Sequence, residues 1–441
     1  CPPKDMRGQH STRPNKLQED VTLAIMNHIK SFRGRKSHYT LGATRKVYLP
    51  DTLNVAKMHS FYLQSHPPES EVSYETYRYI FNTKFNIGFG YPRKDTCAQC
   101  DELEQKISFA RAQLESESDR QLHQLTTNRE IHHRKAETFY TRKRQARERA
   151  SADATTEAIV FDYQKNLNVP NKTSNDVYYK RQLTFISFNI HVLSTNTAYF
   201  YCYDETIAKK GADEVCSMLH NFFVHHLAPE VKTLELFCDG CSGQNKNYTL
   251  LRFLHMLVHK EKRFQNIRLR FPIRGHSYLE CDRDMALVNQ KADIDLPHQW
   301  HQVIESARVK PSPYIVISCK QDMFKTFTEH LKPAYRATCP IKTRPVREFF
   351  VDMAHSQTIS FRDSWNGATE SAVVVSRSKQ TPPPLRQSFT SPIPISREKY
   401  QDLQCLKKLC SPENQEFFTN LSVVGVESSS QAEDSDSDLD Y

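Results

Sequence analysis

The sequence predicts an α/β protein: a mixed sheet flanked by helices, preceded by a mainly helical region and followed by a small α+β module. Three observations carry this expectation. Residues 158–291 alternate strand-like and helix-like patterns in a definite order. Residues 101–150 contain neither Gly nor Pro and are rich in Glu, Gln, Arg and Ala, the composition of one long helix or a helical hairpin. The 25 Phe and 20 Tyr are too many for a chain without a core, and only 11 Gly argue against collagen-like or turn-rich repeats. A length of 441 residues suggests about three folding units.

The elements follow in order. Residues 1–25 are basic and turn-rich, with the run from Arg7-Gly8-Gln9-His10 through Arg13-Pro14-Asn15-Lys16 reading as an exposed linker or the end of a further domain. The chain begins at Cys1 and not at Met, so its natural start is expected to lie further upstream. Val21, Leu23, Ala24, Ile25, His28 and Ile29 have the spacing of an amphipathic helix over 18–33. Segments 50–65 and 73–86 read as short helices, the second with an aromatic face of Tyr74, Tyr77, Tyr79, Ile80 and Phe81. Lys94-Asp95-Thr96-Cys97 and Cys100-Asp101 precede the long helical stretch, whose second half is strongly basic. Residues 158–162 form an apolar strand ending in a carboxylate, Asp162. Residues 180–192 alternate as a strand, 194–197 make a turn and 198–204 return. A helix over 211–227, a strand over 232–238 ending at Asp239, a helix over 245–260, a strand over 267–273 and a helix over 280–291 complete the series. Residues 300–375 mix a helix with short strands, and Pro and Ser mark 376–396 as linker. Residues 425–441 read as a disordered Ser/Asp/Glu tail. The expected boundaries are therefore 1–92, 93–152, 153–300, 301–375 and 376–441.

The order β-β-β-α-β-α-β-α over 158–291 is that of an RNase H-like nuclease. In that fold the first and fourth strands are adjacent and parallel, so Asp162 and Asp239 are expected side by side. Phosphodiester cleavage by two Mg²⁺ or Mn²⁺ ions, about 3.5–4 Å apart, needs a bridging carboxylate and further carboxylates around it. The last helix supplies the third acid, Asp282 by preference and Asp284 as second choice. Residues two apart on a helix point about 200° apart, so only one of them faces the metals. His276, just past the fifth strand, is placed to bond a ligand carboxylate or the attacked phosphate. The loop Asp239-Gly240-Cys241-Ser242-Gly243-Gln244-Asn245-Lys246-Asn247 puts glycines and amides between carboxylate and helix, where backbone can approach a ligand and a helix N-terminus favours an anion.

Cys97-x-x-Cys100 is half of a Zn²⁺ site and needs two more N or S ligands. His132 or His133 supplies one if residues 101–150 fold back, and His123 is a further candidate. Cys238 and Cys241 read as packing or loop residues, and the dispersal of the twelve cysteines fits a reducing compartment. Lys and Arg number 60 against 51 Asp and Glu, a net charge of +9. The acidic tail Glu433, Asp434, Asp436, Asp438, Asp440 masks a more basic body. Nucleic acid is the expected partner, with Arg134, Lys135 and Arg142 on the basic helix, Lys180 and Arg181 at the second strand and Lys246 in the loop as phosphate contacts. No apolar run reaches the roughly 18 residues of a membrane span.

Two stretches, 237–247 and Gly275-His276-Ser277-Tyr278-Leu279-Glu280-Cys281-Asp282-Arg283-Asp284, resemble an uncharacterised eukaryotic family of transposase-derived proteins. So do Asp162-Tyr163-Gln164-Lys165-Asn166-Leu167, Tyr179-Lys180-Arg181-Gln182-Leu183, the stretch around Cys97 and Cys100, and Arg7-Gly8-Gln9-His10. The resemblance covers most of residues 5–325. It implies an RNase H-like core and a DNA transposase or domesticated relative, acting on double-stranded DNA in the nucleus, with homo-oligomers as one expected form. It also favours His132 as the zinc ligand. Relatives tend to carry Glu where this chain has Asn289. If that Glu is a metal ligand, this copy is an inactive DNA-binding or chromatin-associated protein; if Asp282 or Asp284 is the ligand, Asn289 is harmless.

Overall fold

The structure, a computed structural model, describes residues 17–32, 35–36, 47–50, 53–89, 97–112, 116–377 and 382–424. The Arg7–His10 run, Lys94-Asp95-Thr96 and the acidic tail lie outside the described residues. The chain divides into two units, Cys1–Ser118 and Asp119–Tyr441, so the boundary falls within the stretch 93–152 that the sequence groups together.

In the first unit, helices α1 (Glu19–Ser31), α2 (Val55–Ser65) and α3 (Tyr74–Lys84) enclose a core of Ile25, Ile29, Met58, Tyr62, Tyr77, Ile80 and Phe81. Asn54 and Ser73 start α2 and α3 by accepting from the backbone N–H groups of Lys57 and Thr76. The predicted aromatic face splits: Tyr77, Ile80 and Phe81 are buried, whereas Tyr79 is exposed. Strands β1 (Arg35–Lys36), β2 (Val47–Leu49) and β3 (Ile87–Phe89) form a small sheet. Helix α4 (Ala98–Ala112) follows.

Helix α5 (Ser116–Ala152) leads into the second unit. Its further elements are β4 (Thr156–Tyr163), β5 (Leu167–Val169), α6 (Asn175–Tyr179), β6 (Leu183–Val192), β7 (Thr197–Asp204), α7 (Ala212–His225), β8 (Thr233–Phe237), α8 (Tyr248–His259) and β9 (Asn266–Arg270). Then come α9 (Glu280–Leu287), α10 (Gln299–Ser306), β10 (Ile315–Ser318), α11 (Phe327–Leu331), β11 (Glu348–Asp352), β12 (Thr358–Arg362), β13 (Glu370–Val373), α12 (Arg397–Leu406) and α13 (Gln415–Thr419). Ten strands make one sheet in the order β10-β7-β6-β4-β8-β9-β11-β12-β13, with β5 paired to β6. β6 is antiparallel to β4 and β7, and β8 is parallel to β4 and β9. The central five strands thus have the RNase H-like order that the sequence predicts. The strands within residues 301–375 add to both edges of this sheet, β10 beside β7 and β11 beside β9. No helix among the described residues is long and apolar enough to cross a membrane.

Strand alternation sorts the core into two layers. Ile159, Phe161, Ile186, Phe188 and Leu236 pack against Met218 and Phe222 of α7 and Leu250, Leu254 and Leu257 of α8. On the opposite face, Val160, Phe185, Phe200 and Phe237 belong to a cluster with Phe139 and Ala146 of α5, Cys281 and Met285 of α9 and Trp300 of α10. Leu403 of α12 and Phe418 of α13 complete that cluster. Residues 376–441 are therefore more than linker and tail: the apolar residues at 403, 406 and 418 are buried where a solvated segment would expose them. The Pro- and Ser-rich approach concealed this pattern.

Burial of Phe418 predicts that Phe418→Ala costs about 3–5 kcal/mol of stability, read by urea denaturation of the full chain. An unchanged midpoint would return residues 397–424 to the role of a tail.

Candidate functional site

The register of β4 on β8 pairs Val160 with Phe237. Asp162, on β4, and Asp239, just past the end of β8, each lie two residues beyond this pair, near enough for the Asp239 charge to raise the Asp162 pKa. Both side chains follow Val160 and Phe237 onto the face that α9 covers. Asp282, on the first turn of α9, is the third member. Its carboxylate accepts from the Leu279 N–H at 2.6 Å, which caps the helix and fixes the side chain at its N-terminus. Burial pushes the Asp162 carboxyl well above the usual carboxylate range, and the charges of Asp239 and Asp282 push it further. The Tyr163 N–H and the more distant Lys210 act in the opposite direction and are outweighed. The three acids therefore share one electrostatic neighbourhood, in which burial and mutual repulsion outweigh the Lys210 charge at Asp162.

Asp284 does not join them. It is buried, bonds His191 Nδ1 at 2.6 Å and the Tyr314 hydroxyl at 3.0 Å, and has Arg308 at 3.6 Å. This choice between two acids follows from helix rotation: when Asp282 faces the strand ends, Asp284 points into the α9–β6 interface. Asn289 lies one residue past Val288, the C-cap of α9, and is exposed.

The loop after Asp239 has separate roles for its residues. The Asp239 carboxylate accepts from Cys241 N–H at 3.1 Å and Asn245 Nδ2 at 2.6 Å. The Cys241 carbonyl closes the turn on the N–H groups of Asn245 and Lys246 at 2.8 Å each. Asn247 caps α8 through Leu250 N–H. Lys246 is buried and donates to the carbonyls of Arg344 and Val346 at 3.0 and 2.7 Å, with burial lowering its pKa to about 8. Its expected phosphate contact is thus replaced by a structural one.

His276 is also reassigned. It follows Gly275, whose φ of 78° is the left-handed conformation that favours glycine. The His276 ring is fully buried, and its Nε2 lies 3.0 Å from His132 Nε2. Cys97, Cys100, His132 and His276 each offer one ligand atom, and these four atoms all lie within 4.8 Å of one another. Two thiols and two imidazoles in tetrahedral reach are the donor set of a structural Zn²⁺ site. Burial, then His133, Lys135 and Arg347, lower the His132 pKa, which favours the neutral imidazole that binds metal. His276 thus lies among atoms that could hold a metal, where the sequence predicts a carboxylate or phosphate contact, while His123 is exposed on α5. A lone His 176 residues from Cys100 carried no local spacing signal.

Among the described residues, the three carboxylates do not bring their ligand atoms all within that distance. Two ions about 3.5–4 Å apart require a wider spread of donors than one ion does.

The basic residues divide similarly. Arg142 bonds Glu348 at 3.1 Å and the Trp365 carbonyl at 2.5 Å, Lys143 bonds Glu280 at 2.6 Å, and Arg149 bonds Glu235 at 2.6 Å. One side of α5 is therefore charged because it faces buried acids, and Arg142 is withdrawn from the expected DNA contacts. Lys180 and Arg181 precede β6, whose first residue Leu183 lies six residues from Asn189, the partner of Asp162. At about 3.3 Å per residue that is roughly 20 Å along the strand, too far for the predicted place beside the carboxylates. Arg181 instead bonds Asp402 at 3.1 Å. Arg134 and Lys135 remain exposed.

A family model described as a domain of unknown function (DUF7869) matches residues 184–363. The match contains Asp239, His276 and Asp282, and begins after Asp162. No curated protein matches the chain.

The Cys/His geometry predicts about one zinc per purified chain, measured by plasma mass spectrometry. His276→Ala should lower that content as much as Cys97→Ser does; full zinc in His276→Ala would remove it from the set. The contrasting surroundings of the two α9 acids predict that Asp284→Asn lowers the melting temperature, whereas Asp282→Asn leaves it unchanged or raises it by relieving like-charge repulsion.

Proposed function

We propose that this chain is a transposase-like, metal-dependent nuclease or DNA strand-transfer protein of the RNase H-like type. The observation that carries the reading is that Asp162 and Asp239 each lie two residues beyond the Val160–Phe237 pair of adjacent parallel strands, with Asp282 close enough to raise the Asp162 pKa. Three mutually repelling oxygen donors fit Mg²⁺ or Mn²⁺, hard ions that prefer carboxylate ligands. Asp162, Asp239 and Asp282 would hold them.

The reaction is displacement at phosphorus. An oxygen nucleophile, water or a DNA 3′-hydroxyl, forms a P–O bond as the scissile P–O bond breaks; the nucleophile's proton passes to solvent, and the leaving oxygen takes a proton from solvent. Divalent ions supply positive charge at the attacking and leaving oxygens. The protein's part is positional. The β4–β8 pairing sets the spacing of two acids, Asn245 orients Asp239, and the Leu279 N–H holds Asp282. Arg134 and Lys135, exposed on α5, are the cations left for duplex phosphates, which they would contact without reading sequence.

The alternative, a catalytically inactive DNA-binding protein, draws on the Asn289 substitution. Asn289 is exposed beyond α9, where its side chain accepts from Lys291 N–H. No observation therefore favours the alternative.

Labelled duplex DNA with Mn²⁺ should be cut or joined by the wild type, and Asp239→Asn should lower the rate by at least about a hundredfold. The metal contribution is several kcal/mol, and each ~1.4 kcal/mol is a factor of ten. Metal-dependent activity that survives in Asp239→Asn would sink the reading.

A further inference from the structure

We propose that Asn189, Gln164 and Asn245 form a neutral amide shell that accepts hydrogen bonds from the water carried by a hydrated divalent cation at Asp162, Asp239 and Asp282. This deepens the proposed function and rests on its reading of the carboxylates.

Asn189 lies directly opposite Asp162 in the β4–β6 pairing. Ala158 and Val160 of β4 and Phe185 of β6 face the α9 layer. By strand alternation Asp162, Gln164 and Asn189 face the same way. The Cys281 thiol of α9 reaches the Asn189 carbonyl at 3.7 Å, so the helix that carries Asp282 covers this spot. Asn189 and Asn245 are fully buried, and Gln164 is 2% exposed. Neither amide atom of Asn189 or Gln164 has a hydrogen-bond partner among the described residues, nor has Asn245 Oδ1. The other end of Asn245 is on Asp239.

Buried amides are ordinarily satisfied, because leaving one without a partner forfeits its hydration. Here three stand together beside acids that repel one another. Mg²⁺ gives up its water reluctantly and usually keeps several molecules when it binds carboxylates. Each such water must donate hydrogen bonds. Amide oxygens accept them without adding negative charge to a place where three carboxylates already repel one another. An aspartate at 189 would worsen that repulsion, and an apolar residue would leave the water without an acceptor. Asn189 and Gln164 have no comparable use in the protein alone: neither makes a side-chain hydrogen bond among the described residues.

The test uses Mn²⁺ as probe on the zinc-loaded full chain. Free Mn²⁺ is titrated by electron paramagnetic resonance, and melting is followed with and without Mn²⁺. Asp239→Asn should abolish the carboxylate-dependent binding. Asn189→Leu and Gln164→Leu should each weaken it by about 10–100-fold, the range for outer contacts of metal ligands. Without Mn²⁺, Asn189→Leu should melt at the wild-type temperature or higher, since an apolar side chain of like shape removes an unsatisfied amide. Two outcomes overturn the proposal differently. Mn²⁺ binding unchanged in both Leu variants but lost in Asp239→Asn would eliminate the shell and leave the cation site standing. Mn²⁺ binding indifferent to Asp239→Asn would eliminate the cation site, and the shell with it.

Discussion

The parallel pairing of β4 with β8 is the constraint on which the second unit depends. It sets two strands about 4.8 Å apart and brings their exits to one level, with an aspartate at each. Holding such acids together is unfavourable, because burial and mutual repulsion both oppose their charge. The sheet bears this cost through the apolar layers on its two faces, from Phe161 and Phe222 on one to Phe237 and Trp300 on the other. A site of this kind cannot be assembled on a loop: without the hydrogen-bonded ladder, the carboxylates would separate.

A second set of charges lies on the same face of the sheet. Glu235 of β8 and Glu348 of β11 are almost fully buried, and Arg270 of β9 bridges them. Arg149 and Arg142 of α5 and Arg362 of β12 add further positive charge. Removing one partner of such a network would strand a buried charge. The basic character of α5 is thus largely a docking device toward the sheet. Its outward cations, Arg134 and Lys135 among them, are fewer than composition alone implies. A cavity of about 570 Å³ lined by Arg142, Arg149, Arg268 and Arg270 lies over these strands, and its wall also contains Glu235.

Much of the second unit was legible in the sequence. Strands of alternating or continuous apolar residues, helices with buried stripes, and an acid after the first and fourth strands together specify strand order and the Asp162–Asp239 pair. The β4–β8 register runs to Val160 opposite Phe237, two residues short of the two acids. Other residues were legible only as chemistry without a location. Lys246 and Arg142 are cations in a basic chain, but they are spent on carbonyls and on Glu348. The helices at 397–419 were hidden by the Pro- and Ser-rich segment before them, although Leu403 and Phe418 are core residues. Asn189 and Gln164 passed as ordinary strand residues, since neither amide carries a spacing signal.

What the sequence alone determined is the set of local patterns: strand and helix periods, the acids at strand ends, and half of a thiolate site at Cys97 and Cys100. These depend on neighbours within a few residues, and so a linear reading recovers them. Only the tertiary structure decided the rotation of α9 that separates Asp282 from Asp284, the meeting of His276 with His132, and the side of α5 that turns inward. Each of these depends on residues tens to hundreds of positions apart, brought together by burial of apolar surface, which is non-directional. The hydrophobic effect specifies that a face is covered; the detailed packing then chooses which polar groups are covered with it.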